Sequence, residues 1–254
     1  MSRRWATLQK MWRETGPVHT GAFLASKLVS VAKNGRMALP NTLEANLETW
    51  SRYDWSKQGE EWTPNWEWKQ SLVRHVLDPN IPLGSRVLEI GPGAGRWTTY
   101  LVRRACSLTL VDLTPECIDL CRKKFGESPH LRYFVNDGRD LSFIPAGSID
   151  RIWSFDVFVH IQSADIAAYA RQFAALLSPG GVGVIHHSAR GANARGWRSD
   201  MTTQKMAEIC SNNSLFMLSQ FDSWDHGRFR ISDQPEDEAP DVISIFQKPP
   251  AAAA

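Results

Sequence analysis

Residues 87–98 read Val87-Leu88-Glu89-Ile90-Gly91-Pro92-Gly93-Ala94-Gly95-Arg96-Trp97-Thr98. The stretch begins with a short apolar run rich in branched residues, which is typical of a buried parallel strand. Three glycines at alternate positions follow, and a helical pattern continues over about 96–105. A strand, a glycine turn and a helix in this order bring backbone N–H groups and a helix N-terminus close to a ligand.

The glycine spacing and one acidic residue narrow the type of ligand. The loop reads Gly-x-Gly-x-Gly, whereas dinucleotide-binding folds use Gly-x-Gly-x-x-Gly. Glu89 precedes the first glycine by two positions, and a carboxylate there is unsuited to a pyrophosphate but fits a cationic group, reached directly or through water. Glu89 with Gly91, Gly93 and Gly95 resembles the first motif of class I S-adenosylmethionine (SAM)-dependent methyltransferases. The resemblance implies that these four residues hold SAM.

The rest of the chain from Ser85 onward alternates strand and helix patterns, which favours a sheet with helices on both faces. Strands are predicted at 86–90, 107–113, 131–136, 149–155, 183–187, 215–221 and 242–247, and helices at about 115–125, 164–177 and 202–212. The resemblance implies a Rossmann-like α/β fold whose seven-stranded sheet is mostly parallel with an antiparallel last strand. We expect residues 81–250 to form the SAM-binding domain and residues 1–80 a helical, tryptophan-rich extension.

The end of the second predicted strand supplies another candidate for the cofactor site. Asp112 lies about 20 residues beyond the glycine loop, where a carboxylate can accept hydrogen bonds from both ribose hydroxyls. We assign Leu113 to the same pocket. The alternative role of Asp112 is to cap the next helix, but Thr114 is available as the cap before Pro115.

Two further strand ends complete the predicted cofactor site. In the resembling family, an acidic residue after the third strand meets the adenine amino group and the next backbone N–H meets a ring nitrogen, which implies Asp137 and Gly138. An Asp-Gly pair is also an ordinary turn signal. The family places the methionine portion and the transferred methyl beside the end of the fourth strand, which makes Phe155 and Asp156 pocket candidates. The features fall in order at the carboxyl ends of successive strands, where open α/β sheets bind ligands.

The extension before the sheet holds most of the 11 tryptophans of the chain. In the resembling family such a segment usually lies over the cofactor or acceptor pocket as a lid, and we assign Trp62 to the cofactor. The alternative is that these rings fill a seam between the extension and the sheet. An aromatic wall would suit sugar faces or flat ring systems.

Methyl transfer from a sulfonium requires the acceptor atom in line, and a hydroxyl acceptor also needs a base. His160 follows the fourth strand, while His186 and His187 end the fifth. Because adjacent strand residues point to opposite faces, at most one of the latter pair should face the pocket easily. We favour His187 as the base, with His160 second. The alternative is that these histidines only hydrogen-bond near strand ends.

A loop after the fifth strand contains Gly196, Trp197 and Arg198. Trp197 and Arg198 are candidates for binding an acceptor that carries a sugar ring, a carboxylate or a phosphate. The alternative is that Arg198 pairs with Asp200 or another surface acid. Metal-dependent relatives need a cluster of acidic ligands near the acceptor, and Asp156 alone does not make one. We therefore predict no metal.

Net charge and cysteine content bear on the partners and the location of the protein. A formal net charge of +2 over 254 residues gives no argument for nucleic acid as a partner. Four scattered cysteines indicate reduced thiols and a cytoplasmic protein.

No signal peptide is visible, and the apolar segment 21–32 is too short to span a membrane. That segment is predicted to be an amphipathic helix on the domain; the alternative is a helix at a membrane surface or on a partner.

These observations favour one function and leave two alternatives. The favoured function is a methyltransferase that moves the methyl of SAM to a hydroxyl of a small molecule or glycan and releases S-adenosylhomocysteine (SAH). The first alternative keeps the fold but methylates an amine, a carboxylate or a lipid headgroup. The second is a SAM-binding interaction module without turnover.

Overall fold

The computed structural model describes residues 41–191, 197–232 and 240–251. Its strands are β1 (Ser85–Ile90), β2 (Ala105–Asp112), β3 (Leu131–Val135), β4 (Ile149–Phe158), β5 (Leu177–Ser188), β6 (Phe216–Phe221), β7 (Ser223–Trp224), β8 (Phe229–Arg230) and β9 (Asp241–Gln247). Its α-helices are α1 (Leu43–Ser51), α2 (Trp66–Leu72), α3 (Thr98–Leu101), α4 (Pro115–Phe125), α5 (Ser163–Leu176) and α6 (Thr203–Asn212). After α2, the chain continues through a π-helical segment, Val73–Leu77, and a last turn, Asp78–Asn80.

Seven strands form one sheet in the order β3-β2-β1-β4-β5-β9-β6. The pairs from β3 through β5 are parallel, while β9 is antiparallel to both β5 and β6. The predicted fold class, with an antiparallel last strand, is confirmed. β1 lies between β2 and β4, with β2 and β3 on one side and β4 and β5 on the other, so the glycine loop that follows it lies where the strand order reverses.

Several element boundaries differ from the prediction. The helix after the glycine loop has only four residues, because β2 begins at Ala105 and pairs there with Ser85. β4 runs three residues further than predicted, to Phe158, and β5 begins directly after α5. The segment Pro179-Gly180-Gly181, which lies between the predicted helix and the predicted strand, therefore belongs to β5, where the Gly180 N–H donates to the carbonyls of Lys248 and Pro249 after β9.

The two faces of the sheet are covered by two apolar clusters. One cluster contains α2 and the small β7–β8 hairpin, and the other contains α5 and α6. Trp68 of α2 lies edge-on to Trp224 at 5.5 Å between ring centroids, and its indole N–H donates to the Arg230 carbonyl at 2.6 Å. Part of the tryptophan-rich extension therefore belongs to the core itself, as the second reading of these rings proposed.

None of the described helices is both long and apolar enough to cross a membrane. The apolar segment 21–32, Gly196 and most of the acidic loop between β8 and β9 lie outside the described residues.

Candidate functional site

The glycine loop adopts a backbone that side chains rarely tolerate. Gly91, Gly93 and Gly95 have φ values of +70°, +56° and +83°. A Cβ at Gly91 would lie 2.4 Å from Val157, and one at Gly93 would lie 2.8 Å from the Trp55 ring. Gly95 packs against Phe125 instead. Glycine is required at all three positions because neighbouring side chains occupy the space of a Cβ.

A cavity lies between the carboxyl ends of β1–β4 and residues 43–63, which we call the roof. The roof contains α1 and two short 3₁₀ turns, Trp55–Lys57 and Glu60–Trp62. The space between the strand ends and the roof is about 970 Å³ with the open mouth included. Gly91 and Gly93 line it, whereas Gly95 does not.

Asp112 and Leu113 both line this cavity, at the end of β2. The Asp112 carboxylate accepts hydrogen bonds from the Gly93 N–H at 3.2 Å and from the backbone and hydroxyl of Thr114 at 2.9 and 3.0 Å. Burial raises the pKa of Asp112 despite these bonds. Thr114 precedes α4 but makes no side-chain cap, because its hydroxyl bonds to Asp112 instead. Asp112 thus joins the glycine loop to the start of α4.

We expect Asp112→Ala to weaken SAM binding about tenfold or more, since it removes charge-assisted acceptors and a support of the glycine loop. Calorimetric titration of SAM measures the change. The matched control is Asp119→Ala, which removes an exposed carboxylate of α4 that pairs with Arg122. An affinity for SAM that is the same in both variants would contradict the role of Asp112.

Glu89 is buried in β1 and does not line the cavity. Its Oε2 lies 2.6 Å from the Thr98 hydroxyl, and burial raises its pKa to about 8. A neutral acid at this position is the form that burial favours. The role predicted for Glu89 toward a cationic ligand group therefore stays a prediction, and contact through water is the form that suits its position.

We expect Glu89→Gln to stabilise the ligand-free protein at alkaline pH. The folded-state pKa lies above that of an unfolded glutamate, so the contribution of the protonated group to stability is lost as pH rises from about 4.3 to about 8. Glutamine resembles the neutral acid and does not titrate. Urea unfolding should show the variant to be more stable than wild type at pH 8, by about 1 kcal/mol or more, and less so at pH 5. A constant difference across this range would contradict the assignment.

The two residues predicted after β3, Asp137 and Gly138, lie in different surroundings. Gly138 lines the cavity, and a Cβ on it would lie 2.2 Å from Leu43 of the roof. Asp137 is exposed and does not line the cavity, because its carboxylate accepts the N–H groups of Arg139 and Asp140 within its own turn. Asn136 lines the cavity in its place. The Asp-Gly turn signal, given above as the alternative, describes Asp137.

Phe155 and Asp156 line the cavity as predicted. Asp156 has φ +63°, a conformation that is strained for a residue other than glycine. Its Oδ2 lies 2.5 Å from Arg96, whose guanidinium also donates to Thr63 of the roof at 2.9 and 3.1 Å. His186 and Arg96 hold the pKa of Asp156 well below its usual range, although burial opposes them. Sequence reasoning missed Arg96, although it directly follows the third glycine of the loop.

The three histidines occupy different surroundings. His187, the favoured base, does not reach the cavity, because both ring nitrogens bond elsewhere: to the Ser188 carbonyl at 2.8 Å and the Ser244 hydroxyl at 2.7 Å. Burial lowers its pKa to about 4. His186 stacks on Phe155 at 4.3 Å and faces Asp156. Neither His186 nor His187 lines the cavity, but His186 contacts Asp156, which does.

His160 lines the cavity. Its Nδ1 is buried without a hydrogen-bond partner, while the ring bonds to the Trp197 backbone. Burial, reinforced by the charge of Arg198, lowers the pKa of His160 to about 3. The imidazole is thus neutral at ordinary pH. Asn46 of α1, which the sequence reasoning missed, donates to the His160 carbonyl at 2.8 Å and leaves its own side-chain oxygen unpartnered.

The sequence analysis assigned Trp62 to the cofactor, and Trp197 and Arg198 to the acceptor. Of these three residues, Trp62 lines the cavity. Trp197 does not, but its ring stacks on Trp50 at 5.4 Å and lies 4.6 Å from His160. Arg198 forms two hydrogen bonds with Asp241, at 2.7 and 2.8 Å, so the pairing alternative describes it, with a different acid from Asp200. Within the described ranges, no group of three or more His, Cys, Asp or Glu could hold a metal ion.

Comparison with known proteins finds similarity to methyltransferases. Residues 87–181 match the family model described as a methyltransferase domain. A ubiquinone biosynthesis O-methyltransferase of Xanthomonas axonopodis pv. citri (strain 306) is 35% identical over 101 residues, which are 39% of this chain and 41% of that protein. The chain thus matches about two fifths of the length of such curated relatives.

Solved structures extend the similarity beyond that segment. One solved structure is that of a Haloferax volcanii complex between the Trm112 methyltransferase activator and a putative methyltransferase. A chain of it aligns with this protein at a TM-score of 0.59 and 18% identity, and the alignment covers 85% of this chain and 100% of that chain. A SAM-dependent methyltransferase from Mesorhizobium loti gives 0.58 at 16% identity, over 74% and 100%. The chain has the fold of class I methyltransferases, and the match to the methyltransferase domain model covers residues 87–181.

Proposed function

We propose that this protein is a SAM-dependent methyltransferase that transfers a methyl group to a hydroxyl of a small molecule. The observation that carries the proposal is the single cavity in which the glycine loop and Asp112 meet a neutral histidine, His160, with an unpartnered ring nitrogen. The first two features suit the cofactor and the third suits a hydroxyl. The methyltransferase domain match supports the cofactor half of the proposal.

The residues around the cavity fit SAM. Gly91 and Gly93 line the cavity, and their lack of side chains lets Val157 and Trp55, which also line it, lie close against the loop backbone. Asp112 would accept hydrogen bonds from the ribose, and Gly138 would let the adenine approach the chain after β3. Phe155 and Asp156 would flank the methionine portion. When bound, SAM supplies an electrophilic methyl group on a sulfonium.

His160 would serve the acceptor. Its ring bonds to the Trp197 backbone, and its Nδ1 is buried without a partner, so a hydroxyl that came within reach of Nδ1 would donate a hydrogen bond to it. With its pKa lowered to about 3, the imidazole takes no proton from a resting hydroxyl. Proton transfer therefore comes late, when the oxygen has gained the methyl group and become strongly acidic. His160 is positioned for this step without being protonated beforehand.

The cavity wall favours an acceptor without a phosphate or carboxylate group. Every charged side chain among the described lining residues has a partner: Arg96 pairs with Asp156, Asp165 pairs with Arg139, and Asp112 is hydrogen-bonded. Trp50 and Trp62 add ring surface, which suits sugar faces and flat ring systems alike. The name of the Xanthomonas relative supports O-methylation, and a glycan hydroxyl remains part of the proposal.

The test follows labelled methyl from SAM into a host extract that is fractionated into small-molecule, glycan, lipid and protein pools. Label in the small-molecule or glycan pool, with release of SAH, supports the proposal. Label in lipid or protein would favour the lipid-, amine- or carboxyl-directed alternative. Tight SAM binding with no label and no SAH would favour an interaction module, and no SAM binding at all would overturn both.

A further inference from the structure

Five side chains, alternately basic and acidic, form an interaction chain from the cavity wall to the segment after β5. In order, they are Arg96, Asp156, His186, Asp241 and Arg198. Arg96 Nη1 lies 2.5 Å from Asp156 Oδ2, and Asp156 Oδ1 lies 3.1 Å from His186 Nδ1. His186 Nε2 lies 3.7 Å from Asp241 Oδ2, and Arg198 holds both oxygens of Asp241. Each member comes from a different part of the fold, so the chain joins segments that are distant in sequence.

The two ends of the chain reach opposite sides of the proposed site. Arg96 and Asp156 line the cavity beside the glycine loop. Arg198 does not line it, but it follows Trp197, whose ring lies against Trp50 of the roof and against His160. Hydrogen bonds and ion pairs connect the two ends except at His186 Nε2, which makes no hydrogen bond and lies 3.7 Å from Asp241 Oδ2, within range of a charge interaction only.

His186 occupies the middle of this path and is held firmly. Its side chain is 1% exposed, and its ring stacks on Phe155 at 4.3 Å. Its Nδ1 lies 3.1 Å from both the backbone nitrogen and the Oδ1 of Asp156. Asp156 has a left-handed backbone, and such a conformation persists in a residue other than glycine only where the surroundings hold it.

We propose that His186 is a positioning residue: it fixes Asp156 against the cavity and, through Asp241 and Arg198, couples the cofactor side of the cavity to the Trp197 segment. This inference rests on the proposed function, and it assigns a shared support to the two halves of that site. The same chain explains why Arg198, which does not line the cavity, is directed inward to a buried carboxylate. Loosening either end should change SAM affinity.

Cutting the chain at its middle is the least disruptive test. Loss of Arg198 would leave the buried Asp241 without its strongest partner, and unpaired buried charges are destabilising. Loss of His186 leaves both Arg–Asp pairs intact. His186→Phe keeps a ring against Phe155 but removes the acceptor of the Asp156 N–H. His186→Asn removes the ring but places an amide near the position of Nδ1, and the amide oxygen can accept that N–H.

The experiment is calorimetric titration of the full chain with SAM. We expect His186→Phe to weaken SAM binding about tenfold and His186→Asn to stay within about twofold of wild type. Arg198→Gln should weaken SAM binding about threefold although it lies outside the cavity wall. In the His186→Phe background, Arg198→Gln should have no further effect, because the connection is already cut.

The matched control is Arg86→Gln, which removes a two-bond pair with Asp150 at the opposite end of the sheet. It should lower the melting temperature without changing SAM affinity. Equal losses of SAM affinity in His186→Phe and His186→Asn would assign the effect to packing and overturn the proposal. So would independent, multiplying effects of His186→Phe and Arg198→Gln. Failure of the wild-type protein to bind SAM would instead overturn the proposed function.

Discussion

Gly93→Val is expected to abolish SAM binding while the protein still folds. Gly93 has φ +56°, and a Cβ there would lie 2.8 Å from the Trp55 ring. A valine would therefore strain the loop and displace Trp55 of the roof, which lies against the loop backbone. The measurement is calorimetric titration with SAM, together with circular dichroism of the free variant to verify folding.

A matched control separates damage to the SAM-binding loop from the general effect of backbone strain. Gly147 has φ +66°, but a Cβ on it would meet nothing within 4 Å. Gly147→Val should therefore lower stability in a similar way and leave SAM affinity unchanged. Retained SAM binding in Gly93→Val would mean that the glycine loop does not hold the cofactor.

The second large effect is expected for His160→Ala. Removing Nδ1 should lower kcat about 100-fold, the ordinary contribution of a positioned base, with little change in SAM affinity. The readout is SAH release with the acceptor found in the extract. The wild-type rate should also show no histidine titration near pH 6.5 from this residue, because its pKa lies at about 3.

His187→Ala provides the comparison within the same protein. His187 bonds to Ser188 and Ser244 away from the cavity, so this variant should lose stability rather than turnover per folded molecule. Unimpaired turnover in His160→Ala would favour an amine acceptor, which needs no base. Loss of turnover only in His187→Ala would reverse the assignment of the base.

Local sequence patterns determine most of the fold. The alternation of apolar strands and helices predicted all seven strands of the main sheet, and the predicted range 115–125 coincides with α4. The boundaries that differ depend on partners distant in sequence. β4 continues to Phe158 because Phe158 pairs with His187 of β5, and no local pattern contains that contact.

The candidate site was less predictable than the fold. Positions at strand ends were identified from spacing, but the direction of a side chain depends on competing partners. Asp137 is held by its own turn and Arg198 by Asp241. Asn46 enters the site from α1, 114 residues before its partner His160. No spacing rule connects two residues so far apart, and the unpartnered atoms become visible only once the chain is folded.

The crowding of tryptophans in the roof has an optical consequence. The ring of Trp50 lies 6.0 Å from those of Trp55 and Trp62, which are 5.9 Å from each other. Indoles this close share their electronic excitations and produce a split signal in circular dichroism. A rearrangement within the roof changes the distances between these rings and therefore changes that signal. The protein thus carries an intrinsic spectroscopic probe of the internal arrangement of its roof, which can be read without a label or an identified acceptor.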